Sequence, residues 1–383
     1  MSEENRSQVL KKFNDYAGKI LNPSVENVKS ADCRVVGYFC SFIPEELFIA
    51  AGLLPFRMRG TGSETTERAD EYFTSCNCSF PRHCFNQALT GEFTFLDGLV
   101  VGTSCDATRY IYDNWKSSPI KTPFIYLLGY PHVSGVAMAN YYRAELAKLK
   151  TALEEQFGAR ITDEKLRSAI TLCNETRELQ RQLYEMRKSA SPPITGSEMV
   201  SVMVAGVSMP KDEYNADLKQ LIEELEALPA TNSTYAARLM VVGSCGDDDI
   251  LSRLAEEQGA LVVTDHTCFG GKLKYGAVDG AASDPLQALA EYQILTRPFC
   301  AKVGGAYQLR AKVILDAAKE FGVDGVLGQR LGCCDTWGGE LYALKEDLKG
   351  AGIPSLMIER EYVPDSEGQL ATRVQAFIET VRR

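Results

Sequence analysis

The sequence lacks the long apolar segments that place a protein in a membrane. Its apolar runs all fall short of the roughly 18 residues that a spanning helix requires. The first six residues, Met1 to Arg6, contain none of the apolar core of a signal peptide. The formal net charge of −10 argues against binding to nucleic acid or to an anionic membrane surface. These features predict a cytoplasmic protein with neither kind of partner.

The common cofactor motifs are also missing. The sequence contains no Walker A motif, no G-x-G-x-x-G fingerprint after a strand, no H-E-x-x-H and no EF-hand loop. We therefore expect neither NAD nor FAD. The three histidines, His83, His132 and His266, are far apart in the sequence, which does not favour a histidine-rich zinc or non-haem iron site.

Apolar runs alternate with helical patterns at both ends of the chain, and this alternation predicts α/β architecture with parallel sheets. From about residue 141 to 228, apolar residues recur at helical spacing. We therefore predict two Rossmann-like or flavodoxin-like domains, at residues 1–140 and 236–383, joined by a helical connector at 141–235. The predicted strands cover residues 34–39, 53–58, 96–101, 123–128, 239–243, 261–264, 325–327 and 355–359.

Cysteine is the residue type that needs an explanation. The chain has twelve, and disulfides are rare in a reducing compartment. Isolated ones such as Cys33 and Cys173 fit the role of small buried apolar residues. The segment 75–84, SCNCSFPRHC, places three close together. Such clustering indicates metal binding, a disulfide or redox chemistry.

Four cysteines fall in loops that follow predicted strands, where α/β enzymes place functional groups. They are Cys78, Cys105, Cys245 and Cys334. All but Cys245 lie near a predicted helix N-terminus, which favours the thiolate that iron and zinc require. Because Cys78 and Cys105 belong to one predicted domain and Cys334 to the other, a shared metal would lie in the cleft between the domains. Three thiolates around a cubane would leave one iron open to a substrate.

Several segments together make the chain similar to subunits of the 2-hydroxyacyl-CoA dehydratase and benzoyl-CoA reductase family. No single segment is decisive, but they occur in the family's order. They are 39–47 (FCSFIPEEL) with 50–52 (AAG), 78–82 (CSFPR), 104–106 (SCD) with 115–116 (WK), 334–335 (CD) with Glu340 and 352–354 (GIP), and 368–377 (GQLATRVQAF).

The resemblance implies a 4Fe-4S cluster on Cys78, Cys105 and Cys334, in the interdomain cleft. It also implies a homologous second subunit, in a heterodimer or homodimer, and a separate ATP-dependent iron–sulfur activator that injects an electron. In the dehydratases, the electron converts the CoA thioester to a ketyl radical that eliminates water from a 2-hydroxyacyl-CoA. In the benzoyl-CoA reductases, it reduces an aromatic ring.

Three further cysteines leave the cluster type open. Cys268 and Cys300 lie where some branches of the family also carry cysteine, and with Cys245 they bring the candidate thiolates to six. Six is the number expected for an 8Fe-9S double cubane, found in a branch that reduces small molecules with ATP-driven electrons. Cys333, next to Cys334, is an extra neighbour that could form a vicinal disulfide.

Other residues near the motifs have two interpretations each. Cys76 and Cys84 are interpreted as bystanders of Cys78. Ser41 and Glu46 could face the substrate as catalytic residues, or could belong to the start of a helix. Three function classes remain: a catalytic dehydratase or reductase subunit, a partner subunit that only relays electrons, and a zinc or thiol protein unrelated to acyl-CoA.

Overall fold

The computed structural model describes residues 7–31, 33–228, 234–364 and 366–382. Within these residues the strands are β1 (Val35–Phe39), β2 (Leu54–Arg57), β3 (Gly98–Gly102), β4 (Phe124–Leu128), β5 (Arg238–Gly243), β6 (Leu261–His266), β7 (Gly325–Leu331) and β8 (Ser355–Arg360). The α-helices are α1 (Gln8–Ala17), α2 (Pro23–Ser30), α3 (Glu45–Ala50), α4 (Ser79–Thr90), α5 (Asp106–Ser117), α6 (Val136–Phe157), α7 (Asp163–Met186), α8 (Gly196–Ala205), α9 (Lys211–Glu226), α10 (Ile250–Glu257), α11 (Pro285–Glu291), α12 (Tyr307–Glu320), α13 (Asp335–Gly350) and α14 (Glu367–Val381).

The strands form two separate four-stranded sheets, each entirely parallel. Their orders are β2-β1-β3-β4 and β6-β5-β7-β8, which is the same 2-1-3-4 order twice. This order is that of flavodoxin-like folds. All five residues of β1 and all five of β3 are buried, as expected for parallel strands covered on both faces. The predicted α/β class with two parallel sheets is confirmed.

The helices α6 to α9 occupy the segment between the two sheets. The apolar stripe of α6, including Leu146, Leu149 and Leu153, is fully buried, which confirms the helical periodicity. Helix α7 packs against α3 of the first half, and α8 packs against β6 of the second half. This segment therefore contacts both halves. Helix α6 begins at Val136, five residues before the predicted start, and the domain boundaries themselves stay a prediction.

The N-terminal region consists of two helices. Asn22 and Pro23 begin the second, α2: the Asn22 side chain accepts a hydrogen bond from the Val25 amide at 3.2 Å, and Pro23 is the first helical residue. No helix in the described part of the chain combines the length and apolarity that crossing a bilayer requires.

Candidate metal centre

A cavity of about 520 Å³ lies between the two halves, where the carboxyl ends of several strands meet. Cysteines are concentrated on its walls: nine of the twelve in the chain line it. They come from both halves, so neither half forms the cavity alone. The cysteines of the lining are Cys40, Cys76, Cys78, Cys105, Cys245, Cys268, Cys300, Cys333 and Cys334.

The first set of cysteines, Cys78, Cys105 and Cys334, occupies three equivalent positions. Each is the N-cap residue of the helix that follows it, α4, α5 and α13 respectively. The first turn of a helix has free N–H groups and the positive end of the helix dipole, which stabilise a thiolate. The structure thus places all three predicted ligands at helix starts and on one cavity.

Within this set, Cys78 and Cys334 are direct neighbours although they belong to different halves. Hydrogen bonding with the Cys78 thiol is the main reason that the pKa of Cys334 falls to about 6. The same interaction, together with burial, raises the pKa of Cys78. The two thiols therefore interact across the two halves of the chain. Burial raises the pKa of Cys105, whose Sγ lies 3.2 Å from the Thr108 hydroxyl.

The second set, Cys245, Cys268 and Cys300, lies on the same cavity in the second half of the chain. Cys245 and Cys268 follow β5 and β6, and hydrogen bonding between them lowers the pKa of Cys268 and raises that of Cys245. Gly243 shapes the turn before Cys245. Its φ is 145°, and a Cβ there would lie 1.9 Å from the Gln329 carbonyl oxygen, so no larger residue fits.

The remaining cysteines separate into two groups. Cys33, Cys84 and Cys173 lie outside the cavity lining, and Cys84 is fully buried on α4. Cys76 and Cys333 are exposed residues of the lining.

Sequence reasoning missed Cys40, which lines the cavity directly after β1 with a left-handed φ of 82°. Such a φ is costly for a residue with a side chain. Cys40 could have been found in the same way as Cys105 and Cys245, because it also directly follows a predicted strand.

The two predicted catalytic residues lie in different surroundings. Ser41 lines the cavity, and Arg297 donates hydrogen bonds to its carbonyl oxygen and, at 3.1 Å, to its Oγ. Glu46 is not part of that lining. It lies on a smaller cavity of about 70 Å³, which Ser41 also lines, in an ion pair with Arg177. The structure therefore brings Ser41, but not Glu46, to the cysteines.

The donor set consists of the thiols that an iron–sulfur cluster requires. In the described residues, no three His, Cys, Asp or Glu side chains surround one ion position. Cysteines that bind different irons of a cluster are separated by the cluster itself, so they need not converge on one point. Thiols from both halves of the chain line this cavity.

Comparison with known proteins agrees with this geometry. The family model described as 2-hydroxyglutaryl-CoA dehydratase, D-component, matches residues 40–381. The chain belongs to this family. The match runs from the cavity residue Cys40 to the end of the last helix, so it includes β2 to β8 and both cysteine sets. Membership argues against the alternative of a zinc or thiol protein unrelated to acyl-CoA enzymes.

Individual relatives are similar along most of their length. The (R)-phenyllactyl-CoA dehydratase beta subunit of Clostridium sporogenes is 26% identical, over 96% of this chain and 98% of the relative. The (R)-2-hydroxyglutaryl-CoA dehydratase beta subunit of Acidaminococcus fermentans is 26% identical, over 92% and 94%. A benzoyl-CoA reductase subunit of Thauera aromatica is 27% identical, over 79% of each chain. The family is thus one of dehydratase-type enzymes, with a reductase among the relatives.

Proposed function

We propose that this chain is the iron–sulfur subunit of an ATP-activator-dependent 2-hydroxyacyl-CoA dehydratase. The proposal includes a 4Fe-4S cluster on Cys78, Cys105 and Cys334. The observation that carries it is that these three cysteines, from both halves of the chain, each begin a helix and line one cavity. The chain also belongs to a family named for this reaction.

The residues of the cavity have separate tasks in this proposal. A bound cluster supplies single electrons for the elimination of water from the thioester. Phe42, Phe80 and Trp337 line the cavity and limit the access of water. Ser41 offers a hydroxyl that Arg297 holds in place and that can hydrogen-bond an oxygen of the substrate. The ammonium of Lys302 also lines the cavity and can bind a negatively charged oxygen there.

The proposed partners follow the same reasoning. Relatives named beta subunits have a partner subunit by name, and we propose a homologous second subunit here, as well as an ATP-dependent iron–sulfur activator and a CoA thioester substrate. All twelve cysteines are free thiols, which fits a reducing compartment such as the cytoplasm. The protein is expected to be oxygen-sensitive.

The decisive experiment is purification without oxygen, followed by iron and sulfide analysis and EPR of the reduced protein. About four irons per chain are expected from one 4Fe-4S cluster. Addition of a 2-hydroxyacyl-CoA should change the EPR signal if this subunit is catalytic, whereas a relay subunit would leave the signal unchanged. A protein without iron that keeps its activity in air would refute the proposal.

A second candidate is favoured by one specific observation: the second set of cysteines lines the same cavity as the first. Six thiols on one cavity match the ligand number of an 8Fe-9S double cubane, so the alternative is a reductase of small molecules with that cluster. About eight irons per chain would be expected, falling on replacement of Cys268 by serine. With a single 4Fe-4S cluster, Cys268→Ser leaves the iron content unchanged.

A further inference from the structure

The second set of cysteines is surrounded by cations that lack carboxylate partners. Arg57 and Lys302 line the cavity, and Lys272 and Arg297 are buried outside the lining, where their charges act on Cys268. Among residues 7–31, 33–228, 234–364 and 366–382, none of the four forms an ion pair with Asp or Glu. A buried cation without an anion is costly, by several kcal/mol after relaxation, so their grouping at one place needs a reason.

Arg57, at the end of β2, reaches across from the first half of the chain to the second. It is 2% exposed. Its Nη1 donates to the Cys268 carbonyl oxygen at 2.7 Å, and its Nη2 lies 3.9 Å from the Cys245 sulfur. The guanidinium also lies over the Phe269 ring, 3.8 Å from the centroid. Its charge is thus directed at the sulfurs of the second set.

Lys272 is buried more unfavourably still. Its side chain is 2% exposed, and in the described part of the chain its Nζ has no hydrogen-bond partner. Its Nζ lies over the ring of Trp337, which lines the cavity, at 4.6 Å from the centroid. The neighbouring His266 cannot supply a negative charge, because an imidazole is neutral or cationic; burial and then the charge of Lys272 lower its pKa.

Four other buried arginines of the described residues have compensating acceptors. Arg177, Arg310 and Arg360 are each paired with a carboxylate. Arg59, two residues after Arg57, is fully buried without a carboxylate but donates to the carbonyl oxygens of Tyr16, Ala17 and Lys19. Lys272 has neither kind of compensation. A negatively charged group held in the cavity would supply that compensation.

We propose that Lys272 and Arg57 are positioning residues that supply the counter-charge for a metal–thiolate group held by Cys245, Cys268 and Cys300. The inference rests on the second candidate of the proposed function, in which these three cysteines hold part of an 8Fe-9S cluster. The two sets then differ in how negative charge is stabilised: by helix N-termini at the first set and by buried cations at the second.

The sharpest test is Lys272→Met, which removes the charge, roughly keeps the shape and breaks no hydrogen bond. If Lys272 serves a bound anion, the metal-free variant should be more resistant to urea than the metal-free wild type, because an uncompensated charge has been removed. The iron-loaded variant should show the opposite: a more negative midpoint potential in an EPR-monitored redox titration, and at least tenfold faster loss of iron to a chelator. A purely structural lysine would not change these properties in opposite directions.

Arg57→Met and Arg59→Met form a matched pair of buried arginines from the same stretch of chain. Both are expected to lower resistance to urea, because both lose hydrogen bonds to carbonyl oxygens, but only Arg57→Met should shift the midpoint potential and speed iron loss. Equal behaviour of the two, or an unchanged potential in Lys272→Met, overturns the inference while the proposed function stands. A wild-type protein without iron overturns both.

Discussion

The ion pair between Glu46 and Arg177 decides whether Glu46 is a structural or a reacting carboxylate. The two side chains are only 4% and 8% exposed, and Arg177 Nη1 donates to Glu46 Oε1 at 3.1 Å. Arg177 is held further by the Tyr292 hydroxyl at 3.2 Å and by the Tyr292 ring. These contacts fix the pair between α3 and α7, away from the cysteine cavity.

Glu46→Gln would leave the Arg177 charge buried without an anion. Removal of one partner of a buried ion pair costs about 3–5 kcal/mol. Because glutamine keeps one acceptor oxygen for Arg177, we expect the lower end of that range, about 3 kcal/mol. That is a large share of the roughly 5–15 kcal/mol that stabilises a typical protein. Urea unfolding of the metal-free protein at neutral pH measures the change.

The control is an exposed ion pair on one helix. Lys312 and Asp316 on α12 are 70% and 62% exposed, so Asp316→Asn should change the free energy of unfolding by no more than about 0.5 kcal/mol. The structural reasoning is refuted if Glu46→Gln unfolds at the same urea concentration as the wild type while dehydration of a 2-hydroxyacyl-CoA is lost. In that case, Glu46 takes part in the reaction.

Three other changes have equally definite outcomes. Burial lowers the pKa of His83 from 6.5 to about 4. Between these two pH values the unfolded chain binds more protons than the folded one, so the free energy of unfolding falls as the pH drops from 6.5 to about 4. His83→Asn should flatten this part of a plot of unfolding free energy against pH. Cys105→Ser should reduce the iron content of anaerobically purified protein, whereas Cys33→Ser, outside the cavity lining, should leave it unchanged. Gly243→Ala would place a methyl group 1.9 Å from the Gln329 carbonyl oxygen, so we expect a lower urea midpoint than for Gly352→Ala, where a Cβ meets no atom within 4 Å.

The fold was largely predictable because its determinants are local. Each of the eight strands is a short apolar run, and the structure places a strand at each predicted position. Their ends differ by a few residues: β7 extends from the predicted 325–327 to Leu331, and β6 extends to His266. These extensions include the polar residues Gln329 and Asp265, which the apolar pattern does not include, so hydrogen bonding to neighbouring strands decides the ends.

Only those features of the site that depend on neighbouring residues in the sequence could be predicted. A cysteine directly before a helix can be recognised in the sequence, and Cys78, Cys105 and Cys334 were found in this way. The surroundings of these residues depend on contacts between distant segments. Arg57 meets Cys245 and Cys268, and Glu46 meets Arg177, only after the two halves and the connecting helices have packed. No pattern within either segment contains that information.

The repetition of one topology explains why cysteines spread along the chain meet at one cavity. In a 2-1-3-4 sheet, the first and third strands are neighbours whose connections leave in opposite directions, and ligands bind at the carboxyl ends of these strands. In the first sheet, Cys40 and Cys105 follow these strands, and in the second sheet Cys245 and Cys334 follow theirs. All four line the same cavity. The carboxyl ends of these two pairs of strands therefore face each other, and a ligand bound between them contacts both halves of the chain.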